Sequence, residues 1–212
     1  MEMIKLEQVT KGYQGNPLFE AVDLTIQKGD IVGITGPNGS GKSVLFKMIC
    51  GFIHPDAGTI KVRNEQLGQT RRFPENVGVI IDRPGYIAHK SGFENLKQLA
   101  AIRKVITDAE IEQAMRTVGL QPGNRQKVKQ YSLGMKQKLA IAQAIMEQQD
   151  ILILDEAFNA LDHDSVLRLR ELLLSFKAEG KTIVLTSHNQ QDIDALCDAV
   201  YRINQGRLEQ VV

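Results

Sequence analysis

A glycine-rich turn between an apolar run and a helical pattern constrains this chain more than any other stretch. Residues 31–34, IVGI, are typical of a buried strand, and residues 44–49 have the apolar spacing of a helix. Between them, residues 36–43 read GPNGSGKS and match the pattern G-x-x-x-x-G-K-[ST]. Glycines let the backbone approach a phosphate closely, and the N–H groups at a helix start bind anions. The sequence therefore predicts a nucleotide-binding site.

The candidate ligands in this phosphate loop differ in their chemistry. The Lys42 amine can reach the terminal phosphates of a nucleotide, and the Ser43 hydroxyl suits Mg²⁺. Backbone N–H groups of the loop and of the first helical turn complete the predicted site. Its predicted binding residues are Asn38, Gly39, Ser40, Gly41, Lys42, Ser43 and Val44.

Two carboxylates follow another apolar run much later in the chain. Residues 151–154, ILIL, predict a buried strand, and Asp155 and Glu156 come directly after it. Open α/β sheets bind their ligands at the carboxyl ends of the strands. Asp155 therefore suits the metal side of a Mg²⁺–nucleotide, and Glu156 is a candidate to polarise an attacking water.

Two weaker signals point to the same edge of the sheet. Ser132 opens an amphipathic helix, so its side chain can cap that helix while N–H groups form a second anion site. His188 follows an apolar strand, where its imidazole can donate a hydrogen bond to a γ-phosphate. A capped helix and a lone histidine are both common structural features, so only their positions relative to the other motifs give them weight.

Composition and charge narrow the function classes. Of the 212 residues, 42% are hydrophobic and 24% are charged, as in ordinary globular proteins. A formal net charge of +1 gives no overall attraction to nucleic acid, so no nucleic-acid partner is expected. Cys50 and Cys197 lie far apart and have no metal-binding spacing. No apolar run approaches the roughly 18–20 residues that span a bilayer, so any membrane role must come through a partner.

Strand and helix patterns alternate along the chain. Alternating residues at 3–9 and 19–26 predict antiparallel strands before the phosphate loop. After it, buried-strand patterns alternate with helical ones, which predicts a parallel sheet covered on both faces. The region 83–147 is mostly helical, and Thr107 with Glu110 forms a capping box for one of its helices.

The order of these motifs resembles the nucleotide-binding subunit of an ABC transporter. The resemblance covers essentially the whole chain and implies a single ATP-binding domain, 1–212, with an α/β P-loop NTPase core built on a parallel sheet. It also implies an N-terminal antiparallel β-subdomain and an inserted helical subdomain, 83–147, that carries the signature motif. The residues that carry the resemblance are Tyr13, residues 36–43, residues 132–137, Asp155, Glu156, residues 160–162 and His188.

A head-to-tail dimer is part of what the resemblance implies. Each ATP would lie between the phosphate loop of one subunit and the turn that contains Ser132 and Gly134 in the other. Tyr13 would stack on the adenine, and Asp162 would lie at the dimer contact.

The resemblance also implies a catalytic mechanism and a set of partners. Glu156 would act as the general base and His188 would hold the γ-phosphate, with ATP and Mg²⁺ as ligands. The partners would be a transmembrane permease subunit and a second copy of the chain or a homologous ATPase subunit. The protein would then be cytoplasmic and peripheral, held on the inner face of the membrane by the permease.

This chain departs from the family pattern at the signature and after one strand. The common signature Leu-Ser-Gly-Gly-Gln is Tyr-Ser-Leu-Gly-Met here, so Leu133 replaces the first glycine. The family usually has Gln where this chain has Asp82, which either contacts Mg²⁺ or only begins the turn Asp-Arg-Pro-Gly. These departures resemble the exporter branch that handles bacitracin, lantibiotics and other antimicrobial peptides or drugs.

The alternative is a soluble ABC-type ATPase that acts without a membrane partner. Relatives that act on DNA carry a long coiled-coil insertion between the phosphate loop and the signature, and this chain has a short helical segment there. Relatives that act in translation join two such domains in one chain. A non-hydrolysing binding module is a third reading, and the presence of both Glu156 and His188 argues against it.

Overall fold

The computed structural model describes residues 1–68, 73–82 and 85–211. The helices are α1 (Lys42–Ile49), α2 (Gly92–Arg103), α3 (Asp108–Thr117), α4 (Leu133–Ile145), α5 (His163–Ala178) and α6 (Gln190–Leu196), with a short 3₁₀ turn at Val128–Gln130. The strands are β1 (Glu2–Tyr13), β2 (Asn16–Gln27), β3 (Ile31–Thr35), β4 (Ala57–Val62), β5 (Glu65–Leu67), β6 (Val77–Ile80), β7 (Ile151–Leu154), β8 (Thr182–Leu185), β9 (Ala199–Asn204) and β10 (Arg207–Gln210).

The described strands form two sheets. One has the order β2-β1-β4-β5 and is antiparallel, and the other has the order β10-β9-β3-β8-β7-β6. In the second sheet β10 runs antiparallel to β9, and the remaining neighbours are parallel. The predicted α/β fold, with an antiparallel N-terminal part and a parallel core, is confirmed.

The first hairpin has a tighter turn than its composition predicts. Glycine and proline make residues 11–17 look like one long turn, but only Gln14 and Gly15 separate β1 from β2. Both have positive φ, 50° and 81°, which suits the twist of a two-residue hairpin loop. Gly12 and Pro17 instead pair across the two strands.

Alternate side chains of the buried strands pack into two different cores. On β7, Leu152 and Leu154 face a cluster formed with the helices, whereas Ile151 and Ile153 pack with α1 and the antiparallel sheet. A sheet covered on both faces requires such continuous apolar strands. None of the helices in the described ranges combines the length and apolar character that a membrane crossing requires.

Helix α4 packs very closely on β6. A Cβ atom built on Gly78 of β6 would lie 1.9 Å from the carbonyl oxygen of Ala144 on α4. Real Cβ atoms do not approach a backbone atom this closely, so only glycine fits at this position. The close contact fixes α4, which begins directly after Ser132, against the edge of the parallel sheet.

The strand order brings distant segments to one edge of the sheet. Strands β3, β8, β7 and β6 are consecutive neighbours and parallel. The phosphate loop follows β3, and the segment with His188 follows β8. Asp155 and Glu156 follow β7, and Asp82 comes shortly after β6. This topology places the predicted site residues next to each other.

Candidate functional site

The first backbone N–H groups of α1, at the end of the phosphate loop, lack intrahelical acceptors. Leu45 donates the first intrahelical hydrogen bond to Gly41 O at 2.8 Å, so Lys42, Ser43 and Val44 have no intrahelical acceptor. Gly41 has φ 104°, and a Cβ atom there would lie 2.7 Å from the buried ring of Phe19. The absence of a side chain at Gly41 therefore lets the loop pack directly against Phe19 of β2.

A pocket of about 420 Å³ lies in front of this helix start. It brings together most of the predicted nucleotide-binding and catalytic residues. Ser40 lies outside the lining, and its buried hydroxyl has no hydrogen-bond partner among the described residues. The residues that line the pocket are Tyr13, Leu18, Asn38, Gly39, Gly41, Lys42, Ser43, Val44, Asp155, Glu156 and His188.

One edge of the pocket offers oxygen ligands for a cation. The Ser43 hydroxyl donates to Oδ2 of Asp155 at 2.5 Å, and Thr186 donates to Oδ1 at 2.8 Å. Mg²⁺ prefers oxygen ligands and takes one or two from the protein, with the rest from phosphates and water. Ser43 and Asp155 fit this pattern. In the described ranges no group of three or more His, Cys, Asp or Glu side chains forms a separate metal site.

Glu156 lies beside this cation edge with its carboxylate largely buried. Its Oε1 lies 3.2 Å from Nε2 of His188, but neither carboxylate oxygen accepts a side-chain hydrogen bond of good geometry among the described residues. Burial raises the pKa of Glu156 above its ordinary value and outweighs the opposing charge of His188, while Asp155 adds to the increase. A buried carboxylate with free acceptor oxygens and a raised pKa is suited to accept a proton.

Tyr13 also lines the pocket and is held by a neighbouring ion pair. Lys11 Nζ lies 5.3 Å from the centre of the Tyr13 ring and 2.6 Å from Oδ1 of Asp56. Oδ2 of Asp56 accepts the N–H of Gly12 at 2.8 Å. The hydrogen bond from Lys11, followed by that from Gly12, lowers the pKa of Asp56. Asp56 therefore fixes the backbone and the cation beside the exposed Tyr13 ring.

Asp56→Asn is expected to raise the KM for ATP about two- to fivefold and leave kcat nearly unchanged. The reason is that Lys11 loses the carboxylate that holds it beside the Tyr13 ring. Steady-state ATPase assays measure both constants. Asp23→Asn is the matched control, since Asp23 accepts the N–H of Gln8 in the same sheet and does not line the pocket. An equal rise in KM in both variants would contradict a role for Asp56 in holding Tyr13.

Ser132, Gly134 and Asp162 do not line the pocket of their own chain. Ser132 caps α4 as predicted, accepting the N–H of Met135 at 3.1 Å, and Asp162 caps α5 by accepting the N–H of Ser165. A Cβ atom on Gly134 would lie 2.8 Å from the carbonyl oxygen of Ala160. The signature turn therefore packs directly against the segment that leads to Asp162.

Asp82 lies outside the nucleotide pocket. Its carboxylate is 60% exposed and pairs with Lys47 of α1 at 2.6 Å. It lines a second cavity of about 560 Å³, which also contains Leu133, Asp155 and Glu156. Arg83 and Pro84 of the predicted turn lie outside the described residues. The Asp82 side chain is thus paired with helix α1, which follows the phosphate loop.

Three residues around Glu156 and Asp82 were not predicted. Thr186 is fully buried at the end of β8, where it also accepts the N–H of Glu156 at 2.9 Å. Gln137 donates from α4 to the carbonyl oxygen of Ala157 at 2.9 Å, and Lys47 pairs with Asp82. A polar residue ending an apolar strand was a usable signal for Thr186. Gln137 belongs to the signature stretch 132–137, but no contact was predicted for its side chain, and Lys47 looks like an ordinary helix-surface residue in the sequence.

Comparison with known proteins places the chain in a family. The family model for the ABC transporter matches residues 19–159. The ABC transporter ATP-binding protein YybJ of Bacillus subtilis is 42% identical over 207 residues, which are 98% of this chain and 95% of that protein. The bacitracin transport ATP-binding protein BcrA of Enterococcus faecalis and the lantibiotic transport ATP-binding protein SrtF of Streptococcus pyogenes are each 34% identical. They cover 99% and 97% of this chain, and 69% and 89% of their own lengths.

Solved structures agree with this placement. An ATP-binding subunit of an ABC transporter has a TM-score of 0.87 and 27% identity, covering 97% of this chain and 88% of that one. The dimeric cassette MJ0796, bound to ADP and Pi, has a TM-score of 0.87 at 23% identity, covering 98% and 97%, and shows the same fold. The resemblance read from the motifs is confirmed: the chain belongs to the ABC transporter family as an ATP-binding, ATP-hydrolysing subunit.

Proposed function

We propose that the chain powers a membrane exporter of antimicrobial peptides or drugs, with Mg²⁺–ATP as its substrate. The observation that carries this proposal is the single pocket in which Tyr13, Lys42, Asp155, Glu156 and His188 converge. The relatives named for bacitracin and lantibiotic transport support the export branch.

The pocket has separate positions for the base, the phosphates and the cation. Tyr13 offers a ring face for the adenine, and Lys42 with the free N–H groups of α1 takes the phosphates. Ser43 and Asp155 would hold Mg²⁺, which neutralises phosphate charge when it is bound. Asp82 remains a candidate for this cation only if its ion pair with Lys47 opens.

Glu156 and His188 divide the chemistry of hydrolysis between them. A water oxygen forms a bond to the γ-phosphorus while the bond from this phosphorus to the bridging oxygen breaks, so ADP and phosphate leave. Glu156 accepts the proton of that water, because its largely buried carboxylate has a raised pKa and accepts no side-chain hydrogen bond of good geometry from the described residues. His188 donates a hydrogen bond to the γ-phosphate and stabilises the charge that develops there.

A second copy of the chain, or a homologous ATPase subunit, completes the site. Ser132, Gly134 and Asp162 lie outside the pocket of their own chain, so they are available to contact nucleotide bound by another subunit. A dimeric form of the relative MJ0796 supports this arrangement. The dimer would attach to a permease on the cytoplasmic face of the membrane, and residues 83–147 would form the helical subdomain that carries the signature motif.

Purified wild-type chain and Lys42→Ala, assayed with Mg²⁺–ATP, test the proposal. Wild type is expected to hydrolyse ATP, and Lys42→Ala to lose at least about 90% of that activity, since a phosphate-binding cation is removed. With the permease in vesicles, added antimicrobial peptide should stimulate turnover. ATPase activity that no permease changes would favour the soluble ATPase instead.

Asp82→Ala is expected to lower peptide-stimulated turnover in such vesicles at least about threefold, with ATP affinity unchanged. The reason is its position between α1 and the second cavity, outside the nucleotide pocket. Glu179→Ala is the matched control, because Glu179 is 56% exposed, pairs with Lys181 and lines neither cavity. Unchanged stimulation in Asp82→Ala would show that Asp82 only begins its turn.

A further inference from the structure

A buried carboxylate lies behind the loop that carries His188. Asp192, in the first turn of α6, is 1% exposed. Its Oδ1 accepts hydrogen bonds from Nε and Nη2 of Arg170 at 2.9 and 2.5 Å, and its Oδ2 accepts from the Ser187 hydroxyl at 2.6 Å. A charge this deeply buried is stable only when it is paired and hydrogen-bonded, so the three side chains act as one unit.

Ser187 connects this unit to the backbone around His188. The Ser187 oxygen that donates to Asp192 also accepts the N–H of Asn189 at 3.1 Å. On the other side of the loop, Thr186 is hydrogen-bonded to the end of β7. His188 is therefore flanked by fixed residues, while its own imidazole stays 58% exposed and lies in the nucleotide pocket.

Arg170 extends the connection to another part of the proposed active site. It lies on α5, which begins directly after its capping residue Asp162. Helices α5 and α6 pack together in the fold, and the pair Arg170–Asp192 links them through a buried contact. The position of the His188 loop is thus set by the helix whose start is proposed to meet the second subunit.

We propose that Asp192 is a positioning residue for ATP hydrolysis, which acts through Ser187 to hold His188 beside Glu156. The proposal rests on the proposed function, because it takes His188 as the group that contacts the γ-phosphate. Asp192 and Ser187 do not line the nucleotide pocket. Losing this support should therefore impair the chemical step more than nucleotide binding.

Ser187→Ala is the most direct test, because it cuts the link to the loop and leaves the Asp192–Arg170 pair in place. We expect kcat to fall about tenfold while the KM for ATP stays within about twofold of wild type. Lys177→Gln is the matched control. Lys177 lies on α5, as Arg170 does, but its ion pair is with Asp198 and not with Asp192. The turnover of this variant should equal that of wild type. Asp192→Ala should behave like Ser187→Ala if it folds, but the test does not depend on it.

A double-mutant comparison distinguishes positioning from general destabilisation. If Ser187 acts through His188, Ser187→Ala should cause no further loss in a His188→Ala background. Additive losses, an equal rise in KM, or unchanged turnover in Ser187→Ala would overturn this inference. Equal rates for wild type and Glu156→Gln would overturn the proposed function itself. If Glu156→Gln hydrolyses ATP much more slowly than wild type but Ser187→Ala keeps wild-type turnover, only the positioning role is overturned.

Discussion

Glu156→Gln is expected to hydrolyse ATP at least about a hundredfold more slowly than wild type while binding it with near-native affinity. Glutamine has nearly the same shape, but its amide cannot accept the proton of the attacking water. The Glu156 carboxylate lies 3.2 Å from His188 but accepts no side-chain hydrogen bond of good geometry among the described residues, so the exchange to glutamine mainly removes the proton acceptor. Bound ATP should then persist and hold two subunits together.

Turnover, ATP affinity and molar mass with ATP and Mg²⁺ measure these effects. Glu147→Gln is the matched control, since the Glu147 side chain is also largely buried and pairs with Arg103 away from the pocket. If Glu156→Gln turned over ATP at the wild-type rate, Glu156 would not be the general base. If the variant stayed monomeric with ATP, the nucleotide site would not be shared between two subunits.

The pH dependence of wild-type turnover follows from the same carboxylate. Burial raises the pKa of Glu156, so the group becomes protonated, and unable to act as a base, at a higher pH than an exposed glutamate. The kcat/KM for ATP, which reports groups of the free enzyme, should therefore fall as the pH decreases through this raised pKa, with its acid limb above the range of an ordinary glutamate. A profile that stays flat down to the ordinary range would contradict this assignment.

Gly78→Ala is expected to destabilise the fold by about 3 kcal/mol or more, or to prevent folding. The added methyl group would lie 1.9 Å from Ala144 O, and that backbone atom can move only if α4 moves. Because α4 begins at the signature turn, any folded protein that remains should also lose ATPase activity.

Urea or thermal unfolding measures this loss of stability. Gly123→Ala is the matched control, because a Cβ atom at Gly123 meets nothing within 4 Å. Its free energy of unfolding should stay within about 0.5 kcal/mol of wild type. Equal stability of the two variants would show that α4 can shift away from β6 at little cost.

Local patterns were enough to predict the elements and the main motifs. The capping box of Thr107 and Glu110, the cap at Ser132 and the strand before Asp155 depend on neighbours within a few residues, and all three are present. The phosphate loop is also encoded locally. Its glycines are required by backbone geometry, as Gly41 shows with φ 104°.

Contacts between distant segments could not be predicted in this way. Gly78 is required by a carbonyl 66 residues away, a separation that no periodic pattern records. Asp192 looks like an exposed acid in a short helix, but Arg170 and Ser187 bury its charge. From the sequence, Asp82 could either contact a cation or begin a turn. Only the fold reveals its ion pair with Lys47.

The position of β3 in the sheet also has a consequence for synthesis. Its neighbours on both sides, β8 and β9, come from residues 182–204, long after β3 itself in the sequence. While the ribosome is still making the preceding residues, β3 has two open edges, and the phosphate loop lacks the strands that hold it. Such late, long-range pairing slows folding and leaves an aggregation-prone strand exposed. The nascent protein therefore acquires its nucleotide pocket only after residues 182–204 have left the ribosome.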